Sequence, residues 1–115
     1  MAEGAPFTKA RVRDAAPLFA ALGDPTRLAL LARLSSGGPG PIARLSEHAE
    51  VSRQAVTKHL HVLADAGLVR GSRRGREHVW ALEPRRLSDA REHLDRIGAQ
   101  WDAALERLRD LVEGE

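Results

Sequence analysis

The feature that most constrains this chain is a change of hydrophobic period between Ser52 and Leu82. From Ser52 to about Ala66, the residues Val56, Leu60 and Leu63 recur at three- and four-residue intervals, which draws one apolar stripe along a helix. Ser52 stands where a side-chain oxygen can accept from the free amides of the first turn, and Gly67 stands where a helix can end. Beyond it, LVRGSRRGREHVWAL (68–82) changes to period two. His78, Trp80 and Leu82 alternate with Glu77, Val79 and Ala81, and Arg74-Gly75 supplies a turn, the pattern of a two-stranded hairpin with a basic tip. Upstream, Ile42, Leu45 and Ala49 form a shorter inward set, separated from Ser52 by a tight turn at Glu50-Val51. A short helix, a turn, a capped helix and a basic hairpin leave little choice of architecture: a helix-turn-helix with a wing.

The flanking segments are helical. Lys9 to Leu22 places Val12, Ala15, Ala16, Phe19 and Leu22 at helical spacing, with Gly23 suited to a left-handed cap. Asp24-Pro25 opens the next helix, because Asp can cap and Pro at the first position sacrifices no hydrogen bond. That helix carries Leu28, Leu31 and Leu34 and stops in the breaker SSGGPGP (35–41). Pro84 precedes a final helix over about 85–113, and residues 1–8 read as a flexible N-terminal arm. With 115 residues the chain is one domain's worth. The expectation is a mainly α fold with a small β-hairpin wing, divided into the arm at 1–8, a DNA-binding domain at 9–84, and a dimerisation helix at 85–115 packed on the same domain.

Charge is distributed unevenly. Ser52–Arg76 carries six cations against one acid, a local net of +5, while 83–115 carries nine acids against six arginines, a net of −3. A basic middle beside an acidic end suits a polyanion-binding surface next to a part with another task. On the capped helix Arg53, Gln54, Thr57, Lys58 and His61 occupy the arc opposite the apolar stripe, weighted toward the helix start that enters a major groove. Arg forks onto guanine and Gln onto adenine, so Arg53 and Gln54 are the base-reading candidates. Ser52, Thr57 and Lys58 are assigned to phosphate, and Arg73, Arg74 and Arg76 at the hairpin tip to backbone or minor groove.

The stretches FAALGDPTRLALLARL (19–34), LSEHAEVSRQAVTKHLHVLADAGLV (45–69) and GREHVWAL (75–82) closely resemble the ArsR/SmtB family of bacterial regulators, from about residue 14 onward. The resemblance implies a dimeric winged-helix protein that binds a palindromic operator, usually as a repressor released by a signal. Glu50 stands where the family often has Gly, so a left-handed backbone there would strain Glu50. The resemblance also implies pairing through first and last helices, with Val12, Ala16 and Phe19 shared between core and interface. The last helix supports pairing by itself. Leu87, Leu94, Trp101 and Leu108 recur every seven residues, as do Ala90, Ile97, Ala104 and Leu111, which makes an a/d seam.

Many relatives of this kind sense metals, and here the ligands are missing. The chain has no cysteine, so the thiolate pair expected in PIARLSEHA (41–49) is absent, and thiol redox sensing is excluded with it. Asp89 and His93 lie one turn apart on the last helix, but Gln100 and Asp102 stand near where a second histidine would be needed. The final-helix tryptophan resembles a non-metal branch of the family. No cofactor or metal is expected. His59 is expected to pack or touch phosphate, while His48, His61 and His78 are scattered, and no nucleophile–base constellation points to an enzyme. No apolar run approaches a membrane span and the N-terminus does not read as a signal peptide, so the expected location is the cytoplasm. The expected partners are operator DNA, a second copy and an unidentified effector. The alternative is a winged-helix protein-interaction module without specific DNA binding, which the intact basic arc disfavours.

Overall fold

The Asp24-Pro25 start works as its chemistry suggests. Asp24 is extended (φ −138°, ψ 132°), its carboxylate accepts the Arg27 amide at 3.0 Å, and Pro25 fills the first turn where no amide is needed. The Arg27 amide, aided by the charges of Arg27 and His59 and opposed by desolvation, holds the Asp24 carboxyl below the usual carboxylate range. A folded value below the unfolded one means that this stabilisation is present above the ordinary carboxylate range. It is lost as the pH falls through the folded value.

The computed structural model describes residues 9–114, and the arm read at residues 1–8 lies outside the described residues. The elements run α1 (Lys9–Leu22), α2 (Pro25–Gly37), β1 (Gly40–Pro41), α3 (Ile42–Leu45), α4 (Arg53–Asp65), β2 (Val69–Arg74), β3 (Glu77–Leu82) and α5 (Pro84–Glu113). Leu30, Leu31 and Leu34 of α2, Leu45 of α3 and Val56, Leu60 and Leu63 of α4 form the centre of the core. Trp80 of β3, Leu68 and Ala90 of α5 close it. The sheet is antiparallel in the order β1-β3-β2, with Gly40 opposite Trp80 and Arg74 opposite Glu77. The hairpin loop is therefore Gly75-Arg76, one residue later than the Arg74-Gly75 expectation. Gly75 alone there has a positive φ (63°), as a type II′ turn requires.

Several expectations change. α1 buries Ala15, Leu18 and Ala21, whereas Val12 is exposed and Phe19 only half-buried. α2 buries Leu30 and leaves Leu28 exposed. It continues through Ser35-Ser36 to Gly37, because the first residue that leaves helical geometry is Gly38 (φ 74°). α3 is a single turn, and Ala49 packs on the core from beyond its end. Pro84 does not precede α5 but sits in its first turn.

The strained residue of the α3–α4 turn is His48 (φ 62°), not Glu50. A left-handed backbone crowds any Cβ, so His48→Gly is expected to raise stability by about 0.5–1 kcal/mol after the greater chain entropy of glycine is offset. Urea unfolding measures this. A lower midpoint would show that contacts of the His48 ring outweigh the strain.

Candidate nucleic-acid interface

The recognition surface is built on α4, whose inner face is fully buried: Val56, Leu60 and Leu63 are each 0% exposed. Burial on that scale fixes the rotation of the helix, so what lies opposite is presented rigidly. Ser52 is extended (φ −66°, ψ 161°) and its Oγ accepts the Ala55 amide at 3.1 Å. Ser52→Ala is expected to cost about 1 kcal/mol of stability, read from the thermal or denaturant midpoint. A change below a few tenths would show that water replaces the cap without loss.

Ser52, Arg53, Gln54, Lys58 and His61 are all exposed, as the sequence pattern implies. Among the described residues, the side chains of Arg53, Gln54 and Lys58 make no hydrogen bond or ion pair, so their full donor capacity faces outward. Thr57 differs. It is half-buried and its hydroxyl donates to the Arg53 carbonyl at 3.0 Å, which leaves it poorly placed to donate to a phosphate. Ser52 accepts in its cap and keeps its own proton to donate. Arg73, Arg74 and Arg76 are exposed at the hairpin tip, while Arg70, further down the wing, bonds Glu83 at 3.4 Å.

The histidines are less scattered than their spacing suggested. His59 does not face outward for phosphate: its Nδ1 lies 3.2 Å from Arg27 Nη1 and 3.9 Å from Asp24, which ties α4 to the start of α2. His61 and His78 both reach Trp80, joining α4 to the wing. Asp89 accepts from Arg86 at 2.9 Å, and the His93 ring packs on Phe19 with centroids 5.4 Å apart.

The second candidate surface is α5. The a/d seam divides into two parts. Ala90 is buried in its own domain's core and Leu87 packs against it, so neither offers a partner much surface. Leu94, Ile97, Trp101, Leu108 and Leu111 are exposed, and Ala104 is half-buried. Leu105 and Val112, missed by the strict seven-residue repeat, are also exposed and widen the stripe. Their position four residues after Trp101 and Leu108 was the available signal. A helix of 30 residues is about 45 Å long, and the molecule's principal extents of 69 × 27 × 21 Å show that it reaches beyond the body. Among the described residues no helix is long and apolar enough to cross a membrane.

A rigidly buried helix with a cationic outer face, preceded by a helical turn and followed by a basic hairpin, defines a winged helix-turn-helix DNA-binding protein. A helix-turn-helix domain model matches residues 22–72. The chain is 39% identical over 95 residues to the HTH-type transcriptional regulator Rv2034 of Mycobacterium tuberculosis, covering 83% of this chain and 85% of that protein. It is 30% identical over 73 residues to the transcriptional repressor SdpR of Bacillus subtilis, covering 64% of this chain and 80% of that one. An ArsR-like transcriptional regulator from Rhodococcus sp. RHA1 superposes with a TM-score of 0.78 at 34% identity, covering 92% of this chain and 99% of that one. The chain belongs to the ArsR family of winged helix-turn-helix transcriptional regulators and is a DNA-binding regulator of transcription.

Proposed function

We propose that the protein is a homodimeric repressor that acts in the cytoplasm, by binding rather than catalysis, on an imperfect palindromic operator. Residues 9–84 read DNA, and the α5 segment within 85–115 pairs the two copies. Arg53 and Gln54 contact base edges. Ser52, Thr57, Lys58 and His61 contact backbone, Thr57 through a hydroxyl that must first turn from the Arg53 carbonyl. Arg73, Arg74 and Arg76 clamp the flanking backbone or minor groove.

The observation that carries this reading is that one chain holds two unsatisfied surfaces of opposite character. One is the outward cationic arc of α4 and the wing, and the other is the apolar stripe of α5 from Leu94 onward. The first matches a polyanion and the second matches a copy of itself. Release from DNA by a small molecule or protein is consistent with this arrangement, with no metal or cofactor held by the chain.

Selection of DNA fragments from random genomic DNA by the purified protein tests it. The expected enrichment is a palindrome with half-site centres about 10–11 bp apart. Enrichment of single, unpaired half-sites would refute the dimeric reading, and no enrichment above random DNA would refute specific recognition.

A further inference from the structure

Trp80 is 3% exposed, yet two solvent-exposed imidazoles lie against it. The His78 ring stacks on the indole with centroids 4.6 Å apart and planes 25° apart. The His61 ring meets it edge-on at 5.4 Å and 88°. His61 comes from α4 and His78 from β3, so the indole marks where the recognition helix joins the wing. The backbone is shaped for this. Gly71 lies directly opposite Trp80 in the ladder, and a Cβ there would collide with His78 Nε2 and lie 3.1 Å from Trp80 Cζ3. Among the described residues, neither imidazole has a hydrogen-bond or ion-pair partner. The rings are therefore held in place by stacking, with His78 Nε2 lying over the Gly71 backbone and both side chains reaching the surface.

The charged surroundings decide what those nitrogens can hold. On α4, Lys58 and Asp65 flank His61 by about one turn each way. On the wing, Arg73 is paired across the hairpin from His78, with Arg74, Arg76 and Glu77 near the tip and Arg70 bonded to Glu83. β1 brings only Gly40 and Pro41. The guanidinium of Arg33 on α2 is bonded to the Leu45 and Glu47 carbonyls, and that of Arg44 on α3 to the Gly38 carbonyl. Cations predominate and no carboxylate pairs with either ring. An anion placed between α4 and the wing would face these cations and find no carboxylate competing for either ring.

We infer that His61 and His78 form a phosphate-binding site between recognition helix and wing, filled by a backbone phosphate of the duplex and holding it as imidazolium. The site presupposes that α4 and the wing meet DNA as proposed above, and it adds His78 to the contacts named there. DNA binding then takes up protons, so affinity rises as the pH falls through the range in which imidazole titrates.

The test uses the full chain and a random-sequence duplex long enough for both half-sites, because a phosphate contact needs no operator. Binding is measured at constant salt from about pH 8 to about pH 6. Wild type is expected to gain about tenfold in affinity over that range, and His61→Gln with His78→Gln together less than about twofold. The imidazole proton resonances of His61 and His78, assigned from the single variants, are expected to titrate at higher pH once duplex is added. Salt-sensitive binding with no pH dependence, a double variant that keeps the full dependence, or resonances that duplex leaves unmoved would each overturn the site alone. Absence of binding to any duplex at either pH would overturn the DNA-reading assignment and this site with it.

Discussion

Trp101→Asp, and independently Ile97→Asp, is expected to convert the proposed dimer to monomers at micromolar concentration without unfolding the chain. Trp101 is 64% exposed in the single chain, so a carboxylate there is hydrated and harmless until a partner arrives. In the proposed dimer each copy would lose the burial of an indole, worth several kcal/mol at about 25 cal/mol per Å² for a side chain of about 150–250 Å². The same copy also gains a charge that must escape to water or neutralise. Two-fold symmetry places the change twice in one interface, so a weakening of at least about a hundredfold follows from a loss near 3 kcal/mol. Sedimentation gives the mass and far-UV circular dichroism confirms retained helix. If both variants sediment as dimers, the stripe from Leu94 to Leu111 is not where the copies meet.

The parts of this fold that were legible in sequence are those fixed by local period and by caps. The inner face of α4, the Ser52 cap, the Asp24-Pro25 start and the alternation of β3 follow from residues within a few positions of one another. What escaped was decided by partners distant in sequence. β1 is two residues long and has no period to read, and it is a strand only because Trp80 and Val79 lie beside it. On α1, alanines at 15, 16, 20 and 21 blur the apolar face, so Val12, Ala16 and Phe19 read as inward and Leu18 was passed over, although Leu18 is the residue that the packing of α2, α4 and α5 buries. Ala90 and Leu87 continue the seven-residue repeat perfectly, yet the core rather than a partner claims them. Of the candidate interface, the cationic arc was readable from helical phase alone. The convergence of His61 and His78 on Trp80 was not, because it depends on how the wing folds back over α4.

Reader and clamp should separate under mutation even though both are arginines. Arg53 follows the cap Ser52 at the start of α4, from where the proposed docking brings a guanidinium to base edges and lets it fork onto a guanine. Arg74 closes β2 at the Gly75-Arg76 turn, where the proposed docking brings it only to the flanking backbone or minor groove. Arg53→Ala is therefore expected to lose about 1–3 kcal/mol on the operator in each half-site and little on random duplex. Arg74→Ala is expected to weaken both DNAs by similar factors and to reduce the salt slope by about one unit per half-site, since one phosphate neutralisation disappears from each. Neither residue packs in the core, so melting temperatures should stay near wild type and unfolding cannot mimic the effect. Binding curves on both duplexes at several salt concentrations distinguish the roles. Equal loss on both DNAs for Arg53→Ala, together with selective loss of operator preference for Arg74→Ala, would exchange the two assignments and make the wing the reader.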